Sequence, residues 1–287
     1  MKAEEQARAD IVEVGRRLWE RGYVASNDGN ISVRLDEQRL ITTPKSVSKG
    51  FMTPDMMVIT DLDGRKIAGE RDPSSELKMH LEVYRNRPDA RAVVHAHPPT
   101  ATGFAVAGIP LDRAVLAEVI TTLGSIPIAE YATPSTQELP DAVRKYVKAH
   151  DGLLLANHGA LAIAGDVMSA YYRMETIEHF AKISLVAHTL GRENLLSREE
   201  VARLQGLRGM YGIASPAPIC TDDSIAPISG QLECQVVQAP ESQERLVPTL
   251  SASSTAKSPL SVSSETEIRL TYRELSALIE DALRALK

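Results

Sequence analysis

Six residues in the first half of the chain, Ala92-Val93-Val94-His95-Ala96-His97, run straight into Pro98-Pro99 and leave little choice of local structure. An apolar, β-branched run ended by prolines reads as a strand that stops at the second histidine. Strand side chains alternate between faces, so residues two apart leave the same face. His95 and His97 therefore project side by side from a strand end. A second apolar run, Leu153-Leu154-Leu155-Ala156, leads into Asn157-His158-Gly159. Three imidazoles at strand ends, with one carboxylate, are the donor set of a zinc site that keeps room for a substrate. The alternative is three histidines that are solvated or hydrogen-bonded locally. The His-x-His pair favours the metal, because it is far more specific than a lone histidine.

Composition narrows the partners. With 287 residues the chain exceeds the commonest single-core size and suggests one large domain plus an extension. The net charge of −6 leaves no basic footprint for nucleic acid. No apolar stretch reaches membrane-spanning length. Met1-Lys2-Ala3-Glu4-Glu5 has the character of a helix start, not of a secretory signal. Cys220 and Cys234 lie outside the histidine-bearing segment and make no disulfide framework, so a cytoplasmic location is expected.

Three zones follow along the chain. Residues 1–213 read as one α/β domain. A helix is predicted over 5–21 from Ile11, Val14, Leu18 and Trp19, with Gly22 as its stop. Strands are expected at 31–35, 40–43 and 57–60, and Asp61-Leu62-Asp63-Gly64 turns a hairpin into Lys66-Ile67. Helices are expected from Pro73 to about Arg87, over 112–122, over 136–149, and from Asp166 to Leu190; a further strand is expected at 126–129. Without a regular strand–helix repeat, the sheet should be mixed or mainly antiparallel, with helices on both sides. Residues 214–264 are rich in proline and carry serine-rich tracts, the composition of a flexible linker. Residues 265–287 end in an amphipathic helix: Thr271 and Glu274 form a capping box, and Leu275, Leu278, Ile279, Ala282, Leu283 and Leu286 make one apolar stripe. That stripe either packs back on its own domain or docks on a partner. The long linker before it favours docking.

Other residues add chemistry to the histidines. Glu76, three residues after Pro73, falls in the first helical turn, where it could ligate a metal, act as an acid/base, or merely complement the helix dipole. Ser74 and Ser75 start the same helix, as an N-cap or as donors to a phosphate. Asn27-Asp28-Gly29-Asn30 and Thr43-Pro44-Lys45-Ser46 are polar turns that together could supply amides and an ammonium to an anion.

The order Gly29-Asn30, Thr43-Pro44, Ser74-Ser75-Glu76, His95-Ala96-His97 and Asn157-His158-Gly159 resembles the class II aldolase/adducin family, and within it the zinc-dependent L-fuculose-1-phosphate and L-ribulose-5-phosphate enzymes. The resemblance spans roughly residues 5–213. It implies a three-layer α/β/α fold on a mainly antiparallel sheet, and a homotetramer with active sites between subunits. It implies one Zn2+ per subunit on His95, His97 and His158, with Glu76 alternating between ligand and acid/base. Asn30, Lys45, Ser46, Ser74 and Ser75 would hold the phosphate of a ketose phosphate. Retro-aldol cleavage leaves an enediolate, and a Lewis acid removes the need for a Schiff-base lysine.

There are departures from the pattern. Lys45-Ser46 stands where the fuculose-phosphate enzymes usually have Thr-Gly or Ser-Gly. No tyrosine lies near Leu116, where those enzymes supply one from the neighbouring subunit, so Glu118 or another group is the substitute acid/base, and Tyr211 is matched to a second family tyrosine near the C-terminus as a further acid/base candidate. His179 either approaches the site or packs within its helix. The tail is similar to the encapsulation peptides of bacterial microcompartment enzymes, which implies shell proteins as partners. Cleavage of L-fuculose or L-rhamnulose 1-phosphate would release lactaldehyde, a reactive product worth confining. The same site could instead serve a ribulose-phosphate 4-epimerase or a sugar-phosphate dehydratase. A scaffold protein of the adducin type would lack the ligands that this chain retains.

Overall fold

The computed structural model describes residues 3–213. The linker expected at 214–264 and the helix expected within 265–287, including its stripe from Leu275 to Leu286, fall outside the described residues.

The described chain builds an eight-stranded sheet from β1 (Asn30–Arg34), β2 (Arg39–Thr42), β3 (Val58–Asp61), β4 (Lys66–Ala68), β5 (Ala92–Ala96), β6 (Ile128–Ala129), β7 (Gly152–Leu155) and β8 (Gly159–Ala164). Their spatial order is β4-β3-β2-β1-β5-β8-β7-β6. Neighbours run antiparallel except β6 and β7, which run parallel. The sheet is therefore mixed, where the resemblance implied a mainly antiparallel one. The reason is the connection: β6 returns to β7 through α5 (Glu138–Arg144), and a crossover of that kind brings strands back parallel.

Period-2 alternation sorts the two faces. Ala92, Val94 and Ala96 of β5, Leu154 of β7 and Ala160, Ala162 and Ala164 of β8 join one core cluster, together with residues of α1 (Ala3–Glu20), α3 (Pro99–Ala107) and α6 (Val167–Thr189). Val93, Leu153, Leu155, Leu161 and Ile163 face the opposite way, onto α2 (Leu77–Asn86) and α5. The helices thus cover both sides, as expected. On β5, His95 shares the parity of Val93, on the side covered by α2.

Local chemistry explains the boundaries. Gly22, at φ +69°, follows α1, and Asp166 caps α6 by accepting from the Ser169 N–H at 2.8 Å. Trp19, expected on the buried stripe of α1, is 43% exposed and meets Phe51 edge-on at 5.2 Å. Helix α2 starts at Leu77, later than predicted, so Glu76 is its N-cap residue and Ser74 and Ser75 precede it. The predicted 112–122 helix is confined to α4 (Ala117–Thr122), and α5 is shorter than 136–149. Helix α3, strand β8 and α7 (Arg198–Leu207) are additional elements.

Candidate metal centre

Strand register sets the site. Asn30 of β1 lies opposite His95 of β5, and Ala96 lies opposite Ala160 of β8. The β7–β8 hairpin turns tightly through Asn157 at φ +55°, a left-handed conformation that Asn tolerates better than most residues. That turn brings His158 back against His95. Glu76 reaches the same point from the start of α2.

The three rings form a propeller, with centroids 4.9, 4.8 and 5.1 Å apart and planes inclined at 65°, 64° and 64°. One nitrogen from each lies within 4.8 Å of the others. His95 Nε2 and His97 Nε2 are 3.1 Å apart. The Glu76 carboxylate sits 3.4 Å from His95 Nε2 and 3.1 Å from His158 Nε2.

Proton bookkeeping shows what this cluster fits. His95 Nδ1 lies 2.9 Å from the carbonyl oxygen of Ala160, which can only accept, so Nδ1 carries the proton and Nε2 presents a lone pair. His97 Nδ1 faces the Asp28 carboxylate at 3.4 Å, which favours the same tautomer. Two lone-pair nitrogens and a carboxylate then face one another at close range. A divalent cation resolves that repulsion, and the outward Nδ1 contacts are the usual supports of metal-binding histidines. The residues present fit a metal of the kind that imidazole and carboxylate bind. Burial holds His95 well below the usual imidazole range despite the attraction of Glu76. It lowers His97 as well, against the pull of Asp28. Burial alone would raise Glu76; the imidazoles of His95 and His158 and the Asn30 amide outweigh it and hold the carboxyl well below its ordinary value.

The centre opens into a cavity of about 250 Å³ lined by Glu76, His97 and His158. Asn30, Lys45, Ser46, Ser74 and Ser75 line it too. Sequence spacing could not show that their turns converge. In the structure Pro44 bridges Pro73, the Lys45 N–H donates to the Asp72 carbonyl at 2.9 Å, and the Ser74 N–H donates to the Thr43 carbonyl at 3.2 Å. Ser46 has φ +59°, so the backbone keeps a glycine-like conformation at a non-glycine residue. Asn30 spends its amide on Glu76, donating at 2.8 Å, and Ser74 Oγ accepts from the Glu76 N–H at 3.3 Å. Asn30 therefore orients the carboxylate and Ser74 fixes the backbone that carries it, while both line the cavity.

Other expected residues lie elsewhere. Glu118 is exposed on α4, Tyr211 is 66% exposed, and neither lines the cavity. His179 is exposed on α6, neither packed nor near the cavity lining. Four lining residues were not singled out from sequence: Asn27, Asp28, Lys49 and Ser135. Asp28 was visible only as part of a turn, and Lys49 carried no signal beyond the glycine that follows it.

Comparison with known proteins agrees with this geometry. Residues 9–185 match the family described as "Class II Aldolase and Adducin N-terminal domain". The chain is 36% identical over 210 residues to a 5-deoxy-D-ribulose 1-phosphate aldolase of Bacillus thuringiensis serovar kurstaki, covering 72% of this chain and 98% of the relative. It is 30% identical over 210 residues to a 3-oxo-tetronate 4-phosphate decarboxylase of Pectobacterium atrosepticum, covering 71% and 94%. Among solved structures, an L-fuculose 1-phosphate aldolase superposes with a TM-score of 0.66 at 33% identity, covering 70% of this chain and 95% of that one. This chain belongs to the class II aldolase and adducin N-terminal domain family and is an enzyme of the lyase type.

Proposed function

We propose that the protein cleaves a deoxyketose 1-phosphate by a zinc-dependent retro-aldol reaction, with L-fuculose 1-phosphate as substrate and L-rhamnulose 1-phosphate as a second one. The products are dihydroxyacetone phosphate and lactaldehyde. The observation that carries this reading is the facing of lone-pair imidazoles and a carboxylate on the wall of a cavity whose remaining lining suits a phosphate. The names of two relatives, acting on 5-deoxy-D-ribulose 1-phosphate and L-fuculose 1-phosphate, support the substrate class.

A zinc ion held by His95, His97 and His158 supplies the Lewis acidity that offsets negative charge on the substrate oxygens. The chain's own residues do the rest. Glu76, oriented by Asn30, returns a proton to the carbon that becomes part of dihydroxyacetone phosphate. Lys45, Ser46, Ser74 and Ser75 hold the phosphate and fix the ketose end. In the homotetramer that the resemblance implies, sites lie between subunits, and the exposed Glu118 and Tyr211 are the acid/base residues we assign to take up the hydroxyl proton at a neighbouring site as the aldehyde forms.

The tail fits the same chemistry. A linker over 214–264 and an amphipathic helix over 265–287 are read as an encapsulation peptide that delivers the enzyme to a microcompartment shell, where lactaldehyde is confined.

The test is a coupled assay on zinc-loaded protein offered L-fuculose 1-phosphate, L-rhamnulose 1-phosphate and L-ribulose 5-phosphate. Chelator-sensitive release of dihydroxyacetone phosphate and lactaldehyde is expected. Epimerisation of ribulose 5-phosphate without cleavage of either 1-phosphate would keep the metal site and reject the aldolase assignment.

A further inference from the structure

One charge in the cavity is unused by the reaction just described. Lys49 begins the short helical turn Lys49–Phe51 and is only 2% exposed, yet it lines the cavity. Lysine is almost never fully buried without a partner. Its Nζ donates to the carbonyls of Asn27 at 2.9 Å and Val47 at 2.7 Å. An ammonium has three N–H donors, so one remains. Among the described residues no carboxylate lies within ion-pair distance of Nζ; Asp28 and Glu76 attract it from further away.

The segment cannot withdraw from the cavity wall. Gly15 of α1 packs so closely that a Cβ there would lie 2.7 Å from the Lys49 carbonyl oxygen, and one on Gly50 would lie 2.5 Å from the Trp19 ring. The fold therefore holds a desolvated cation against the cavity. Burial pulls its ammonium down to about 8, which still leaves it mostly charged at neutral pH. Lys45 supplies a second ammonium to the same lining, exposed on its turn. Two cations together, with the hydroxyls of Ser46 and Ser74 nearby, match a dianion better than a carboxylate or a neutral sugar.

We propose that Lys49 is a specificity-determining residue that spends its third N–H on the phosphate dianion of the ligand and makes the cavity selective for phosphorylated substrates. This rests on the reading that the substrate is a sugar phosphate and adds to it a residue outside the two polar turns. Lysine acts here as a buried point charge, so its contribution should be large and should not transfer to a neutral side chain of similar length.

The experiment is calorimetric titration of zinc-loaded, full-length protein with inorganic phosphate, comparing wild type, Lys49→Met and Lys49→Gln. Glutamine retains donors for the two carbonyls but has no charge. Wild type should bind phosphate, and both variants should bind it about 10- to 100-fold more weakly. Equal binding by a folded Lys49→Gln protein overturns the assignment while leaving the sugar-phosphate reading intact. No phosphate binding by wild type overturns both. A crystal structure of wild type with phosphate removes any dependence on the variants: Nζ should lie about 2.7–2.9 Å from a phosphate oxygen. A phosphate bound in the cavity away from Nζ refutes the proposal.

Discussion

Gly159 starts β8 directly after His158. A methyl group added there would lie 2.6 Å from the Ala96 carbonyl oxygen, 2.6 Å from Cδ2 of His97 and 3.3 Å from Cε1 of His95. Comfortable carbon contacts are about 3.5–4.0 Å, so roughly 1 Å must be found. The Ala96 oxygen cannot give, because β5 and β8 are paired at Ala96 and Ala160. The His97 ring must therefore swing, carrying Nε2 away from its place 3.1 Å from His95 Nε2. Overpacking of this kind costs about 1–3 kcal/mol of stability. Displacing a ligand's support typically costs about 10- to 100-fold in metal affinity. The assay for Gly159→Ala is zinc titration of metal-stripped protein, with thermal midpoints recorded with and without zinc. The variant should melt earlier, bind zinc about 10- to 100-fold more weakly, and lose about 1.4–2.7 kcal/mol of zinc-induced stabilisation. A variant with wild-type stability and zinc affinity would refute the claim that the close approach of Gly159 fixes the ligand positions.

Three further outcomes are expected. His80 is fully buried, pairs with Ser32 Oγ at 2.7 Å, and is lowered by burial to about 4 from 6.5; the stability from keeping it neutral is complete above pH 6.5 and is lost as pH falls toward 4. Its share is of order 3 kcal/mol, so denaturant midpoints of His80→Gln should vary less with pH across that window than those of wild type. Glu178 is fully buried on α6 and accepts from the Thr100 N–H at 3.0 Å and the Ala101 N–H at 2.8 Å, holding the start of α3 just beyond His97. Glu178→Ala should cost ~3 kcal/mol in chemical denaturation. Deleting residues 265–287 should leave turnover intact and abolish co-purification with shell proteins; unfolding of the truncated protein would show that the tail belongs to the core.

How much of this was legible in the sequence depended on whether a local signal existed. The strand ending in His95 and His97 was, because apolar run, alternation and prolines all agreed. Helix α1 and the β3–β4 hairpin were legible for similar reasons. Strand β8 was not: Gly159–Ala164 is buried at every position, so it shows no polar alternation. Helix α3 was missed because Pro99–Ala107 has no amphipathic face; only the proline at its start and Gly108 at φ +71° after it mark its limits. Trp19 left the expected stripe because Gly50 opens a shelf where its ring meets Phe51, a tertiary effect invisible to periodicity. The site divides in the same way. The histidines could be named from spacing and Glu76 from the resemblance, whereas convergence of the two polar turns needed the Pro44–Pro73 bridge. Lys49 reads in sequence as one more surface lysine, and only the packing of Gly15 and Gly50 makes it a buried one.

The central claim is that His95, His97 and His158 hold the metal on which cleavage depends. Its most direct test is to strip the full-length protein with a chelator, return zinc stepwise, and follow L-fuculose 1-phosphate cleavage at each step, alongside His97→Ala. Activity of the wild type should vanish on stripping and return to a plateau near one zinc per subunit, while the variant stays inactive with its oligomer intact. Full cleavage by stripped wild type, or by His97→Ala, would contradict the account.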